Sequence, residues 1–213
     1  MRLIKCLVIP MILGSAALLL AINGGGGGGG KTCMTTPGAT VPDGSVSATA
    51  KFTPSNGAVT VLLADTLVDP KSVGQLLSGV SFTFASGMTA GTLGSTSANL
   101  RKVASDGSFT DLGPASTGWA LDENFNGGFR LCVLCTDLGA TGPRHLLIGN
   151  PAVSGTYASA NASIAGNKPH NPFTQGIATF LINIPGVTSN DSVTSATFFF
   201  GTTEGISVQG SCQ

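Results

Sequence analysis

The chain has 213 residues, with ten Lys plus Arg against ten Asp plus Glu, so its formal charge is zero and only 9% of positions are charged. An ordinary soluble domain carries about 25% charged residues, and the shortfall excludes a dense basic face for nucleic-acid phosphates. Hydrophobic residues make up 42% of the sequence, enough for a buried core and too many for a chain that stays disordered.

Arg2 and Lys5 precede an uncharged, apolar stretch from Cys6 to Ile22, the basic start and greasy run of a secretory signal. Residues 1–23 are read as a signal peptide. An uncleaved anchor is the alternative, weakened by Pro10 and Gly14, which both disfavour a spanning helix. Gly24 to Gly30 are consecutive glycines, expected to form a spacer because glycine loses the most backbone entropy on ordering. Residues 24–44 are therefore read as a Gly-rich flexible segment and N-terminal arm. Gly25 to Thr32 also spells G-x-x-x-x-G-K-T, the phosphate-cradling loop. That chemistry needs a strand before the loop and a helix after it. Here an export segment precedes, and Pro37 and Pro42 follow.

From residue 45 to the end the chain reads as one all-β domain, with β-branched and aromatic runs punctuated by Gly, Pro, Asn and Ser. Strands are predicted over 45–52, 58–63, 80–85, 98–104, 108–112, 128–134, 145–149, 155–163, 177–184 and 192–201. About ten short strands predict a two-layer β-sandwich or jelly roll. One short helix is predicted over 69–77, with Asp69 as its cap and Pro70 in its first turn. Phe198-Phe199-Phe200 asks for a strand covered on both faces, or for a surface that another copy covers. The Gly-, Pro- and Asn-rich block from 142 to 173 is expected to hold a long ordered loop.

After the signal the cysteines are Cys33, Cys132, Cys135 and Cys212, an even number in an exported chain, which favours disulfides. Three pairings are possible. Cys33 with Cys212, near the two ends, and Cys132 with Cys135 is the preferred combination. Cys132-Val133-Leu134-Cys135 also has the C-x-x-C spacing of thiol oxidoreductases and of half a zinc site, which His145 and His170 could complete. Asp122, Asn124 and Asn126, followed by Gly127, match the first half of a calcium loop. The twelfth position is Val133 rather than a bidentate Glu, and the same residues are common in β-turns. Prolines on both sides hold His170 in an extended loop. Catalytic resources are thin: the chain has two histidines and no G-x-S-x-G or H-E-x-x-H.

The run from Asp69 to Phe84, with Ser116 to Trp119, Leu131 to Cys135 and Gly166 to Phe173, resembles bacterial secreted proteins of the PEP-CTERM type, the substrates of exosortase-like sorting. The likeness covers about residues 45–205. It implies an exported, β-rich surface or matrix protein associated with extracellular polysaccharide. The last residues, Thr202 to Gln213, lack the Pro-Glu-Pro, apolar helix and basic finish of that type, so sorting of that kind is not expected from them.

These observations predict a non-enzymatic, secreted structural protein of the cell surface or extracellular matrix that self-assembles, with filaments as one outcome. No cofactor is expected, and the expected partners are other copies and extracellular polysaccharide, not nucleic acid or, after cleavage, membrane. The first alternative is a carbohydrate-binding module using Trp119, Tyr157, Phe173 and His170. The second is a thiol-redox or zinc enzyme built on Cys132 and Cys135.

Overall fold

The computed structural model describes residues 30–135, 138, 145–152 and 155–213. Its strands in chain order are β1 (Lys31–Thr35), β2 (Thr40–Val41), β3 (Gly44–Ser45), β4 (Ala48–Ser55), β5 (Ala58–Asp65), β6 (Leu77–Phe84), β7 (Thr92–Val103) and β8 (Phe109–Ala115). They continue with β9 (Ala120–Phe125), β10 (Gly128–Cys132), β11 (Leu147–Ile148), β12 (Phe173–Asn183), β13 (Val193–Phe200) and β14 (Ser207–Cys212). The helix expected over 69–77 is instead a 3-10 turn of three residues, Val73–Gln75. Asp69 adopts a positive φ of 52° and bonds the amide and hydroxyl of Ser159 rather than capping a helix.

The sandwich or jelly roll is corrected to a barrel. One ring runs β12-β5-β4-β1-β14-β13-β6, and β11 closes it by pairing with both β12 and β6. Leu147 lies opposite Thr174 in a parallel pair and opposite Leu77 in an antiparallel one. Eight strands therefore form a closed wall, and two hairpins extend it as flaps, β7-β8 from β12 and β10-β9 from β6. Alternation in the sequence cannot separate these architectures, because a sandwich face and a barrel wall both bury every second residue. The difference lies in β11, two residues long, whose pairings to distant strands leave no local mark.

Inward positions are apolar, while outward ones mix polar residues with exposed Leu62, Ile177 and Leu181. In β4, Ala48, Ala50, Phe52 and Pro54 are buried while Lys51, Thr53 and Ser55 are exposed. The outer wall continues through Thr60, Thr179 and Gln209. Phenylalanines fill the interior. The Phe82 ring lies 4.8 Å from Phe52, 5.5 Å from Phe129 and 5.9 Å from Phe84, centroid to centroid.

The triple phenylalanine resolves within one chain. Phe198 and Phe200 are fully buried, and outward-facing Phe199 meets the edge of the Phe125 ring from β9 at 6.2 Å. Gly79, opposite Phe199 across the ladder, leaves the room. Two predicted strands are revised. That at 145–149 shrinks to Leu147–Ile148, and 155–163 is a series of turns with a single bridge from Thr156 to Ser108. The supposedly flexible arm supplies β1, which enters the wall between β4 and β14.

The strands nearest the two ends are thus neighbours, with Cys33 directly opposite Cys212 and the two sulfurs at disulfide distance. This bridge closes a loop of 179 residues; on the chain-entropy model a loop of that size stabilises by about 5 kcal/mol. Replacing both Cys33 and Cys212 by Ser should leave the ladder formed but lower the unfolding free energy by about 3 to 5 kcal/mol. Urea unfolding of the two forms without reductant measures this, and coincident midpoints would refute it.

Candidate functional site

The densest polar arrangement lies where β11 closes the barrel. Asp65, the last residue of β5, is buried. Its carboxylate accepts the Leu67 amide at 3.0 Å and the Leu77 amide at 3.4 Å, and the Gly149 amide also donates to it. One side chain therefore holds the end of β5, the start of β6 and the exit of β11. Position 149 requires glycine, because a Cβ there would collide with the Leu67 carbonyl. The Gly149 carbonyl accepts the Tyr157 hydroxyl at 2.8 Å. That oxygen in turn accepts Arg101 Nη1 at 3.0 Å.

Arg101 Nε and Nη2 grip both oxygens of Asp111 at 2.6 and 3.0 Å, and the guanidinium sits 3.8 Å from the centre of the Phe109 ring. Burial pushes the Asp65 carboxyl up to about 8, against the pull of its three amide donors, and pushes the Tyr157 phenol up as well.

The second flap repeats the device. Arg130 on β10 donates to Asp122 on β9 through Nε and Nη2, at 3.1 and 2.8 Å, and it also pairs with Glu204. Its guanidinium lies 4.1 Å from the centre of the Phe125 ring. Both arginines face their aspartates directly across a ladder. Such forked, ring-backed pairs suit arginine's planar head. Neither cluster was anticipated; the signal was an Arg and an Asp about equally far from a hairpin turn, legible only once the turn is placed.

The residues singled out from sequence fall mostly into structural roles. Trp119, Tyr157 and Phe173 are 5%, 1% and 0% exposed. Trp119 packs 5.3 Å from Phe180 and donates Nε1–H to the His145 carbonyl at 2.8 Å, so its ring faces protein. Buried His145 directs Nδ1 at the Pro172 carbonyl, 2.6 Å away, and must donate there; burial lowers its pKa. His170 is half-buried in its loop, and burial lowers its pKa too. The structure does not bring the two histidines together with the C-x-x-C. Cys132 and Cys135 are buried and placed as a disulfide at the end of β10, and residues 132–135 are not helical, whereas a low-pKa thiol uses a helix start. Among the described residues no three His, Cys, Asp or Glu side chains cluster as metal ligands.

Asp122 is held by Arg130, and Asn126 and Gly127, at φ 49° and 76°, form the hairpin turn between β9 and β10. Positive φ at both central residues is the preferred tight-hairpin geometry. Asn124, also at positive φ, donates its amide to the Thr89 carbonyl at 2.9 Å.

An open groove of about 400 Å³ runs between the end of β7 and the loop 166–172. Among the described residues its two lysines, Lys102 and Lys168, make no ion pair. Comparison with protein-family models, with curated proteins and with solved structures finds no match to this chain. The geometry alone thus defines the site: a closed, ring-filled barrel whose reactive side chains lock its seam and flaps.

The raised Asp65 value sets a pH dependence. The fold favours the neutral carboxyl, so this stabilisation is complete below the ordinary carboxylate range near 4 and declines as pH climbs to about 8. Asp65→Asn, neutral at every pH, should therefore gain on the natural chain between pH 4 and 8 and hold a constant offset above that. Melting temperatures of both proteins across this range provide the check; a pH-independent offset would contradict it.

Proposed function

We propose that the chain is a secreted, non-enzymatic structural protein of the cell surface or extracellular matrix, whose copies associate with one another. One observation supports this reading: the described cysteines, Asp65, Arg101, Arg130 and His145 are each held by other groups of the chain. The four described cysteines are paired with each other, Asp65 is sealed by amides, and Arg101 and Arg130 are gripped by carboxylates. His145 is tied to a carbonyl. A buried group already holding its partners is poorly placed to act on a substrate. The disulfides fit an oxidising compartment.

Association draws on what the fold leaves outside. Barrel closure removes the edges of the ring, but at the flaps β8 is an outermost strand and carries exposed Leu112. Leu62, Ile177 and Leu181, on neighbouring β5 and β12, are also exposed. With 9% charged residues, little long-range repulsion keeps copies apart. Pro114 limits pairing along β8 because it cannot donate to a ladder, which favours measured assembly over runaway aggregation.

Sedimentation velocity over a hundredfold concentration range, with electron microscopy of the most concentrated sample, tests this. Larger species should grow with concentration, and Leu112→Lys and Leu62→Lys should shift them toward monomer. A monomer throughout would overturn the assembly, and recovery of the natural protein from the reducing cytoplasm would overturn the location.

A further inference from the structure

We propose that the groove between β7 and the loop 166–172 is a binding site for a carboxylate-bearing organic ligand of about disaccharide size. This rests on the extracellular reading above and adds a ligand to it. The groove is built rather than incidental. Val103, buried at its base, donates its amide to Asn171 Oδ1 at 2.8 Å. Its carbonyl accepts the Gly166 amide at 3.2 Å. The Asn171 amide group donates to the carbonyls of Ile164 and Asn167 at 3.2 and 3.1 Å. The loop is thereby fastened to the strand, and the Asn171 side chain is occupied on both its oxygen and its nitrogen.

Gly166 sits at φ 71°, and a Cβ there would crowd Ser105; glycine lets the loop approach this closely. Lys102 and Ala104 flank Val103 on the exposed side of the chain, and Lys168 rises from the loop. The two ammonium groups are the polar side chains of this groove left without an internal partner. In a chain with so few charges, two unpaired lysines on one groove concentrate positive potential there. The remaining lining, Pro172 and Ala104 among it, suits an organic body between the acid groups. A volume of about 400 Å³ falls within the usual small-ligand range of about 300 to 1,000 Å³. The complement is a compact molecule with two carboxylates.

Digalacturonate is a suitable probe, titrated into the intact protein by calorimetry at low salt, with maltose as the neutral control and inorganic phosphate as the charge-only control. Digalacturonate should bind, weaken as salt rises and lose at least tenfold in affinity in the Lys102→Gln, Lys168→Gln double variant. Lys51→Gln, an exposed lysine on the barrel wall, should bind as the natural chain does. Unchanged melting temperatures would show the variants folded. Equal weakening by Lys51→Gln, equal binding of phosphate, or no binding at all would each overturn the site. A protein that assembles outside the cell yet ignores digalacturonate would lose this site and keep the earlier reading.

Discussion

Closure of the barrel depends on one buried carboxyl group. β11 has only two residues, too few to hold two sides of a wall through its own ladder, and its pairing with β6 is a single residue pair. Asp65 makes up the deficit by collecting amides from the three segments that meet at the seam. Leu77 and Gly149 are buried, and a buried amide without an acceptor costs about 1 to 3 kcal/mol. Burial disfavours the charged form of Asp65, while losing its acceptor oxygens would leave these amides unpaired. Tyr157 extends the same network to Arg101 through the Gly149 carbonyl, so the seam and the β7-β8 flap are one polar system.

The flaps solve a related difficulty. A hairpin projecting from a barrel exposes both an edge and a face, and each flap here carries a cross-strand Arg–Asp pair with a phenylalanine under the guanidinium. The pairs differ in setting. Asp111 is largely open to solvent, so part of its attraction is screened. Arg130 has two acidic partners. The Phe125 ring under its guanidinium lies beside outward-facing Phe199.

Much of the wall was legible from residues 45 onward, because alternation such as Val80-Ser81-Phe82-Thr83-Phe84 reports the buried face directly. β1 and β14 were not, since Lys31–Thr35 beside a glycine run and Ser207–Cys212 are short and polar; their place is fixed by pairing with each other and by the terminal disulfide. Sandwich and barrel share a local pattern and differ at one two-residue strand. The candidate site was less legible. Trp119, Tyr157 and Phe173 invite a ligand reading by type alone, yet they are core, and residue type carries no information about depth. Lys102 and Lys168 are 66 positions apart in sequence and become one groove only through Asn171.

The seam is the feature whose absence would change most. Native-state hydrogen exchange at the amides of Leu77, Ile148 and Gly149, compared with those of central β5 and β12, measures its closure directly. A barrel locked through Asp65 requires the seam amides to exchange only with global unfolding, at the same opening free energy as the central strands. Exchange through a separate, much cheaper opening would mean that β11 does not join β12 to β6, and the wall would be an open sheet.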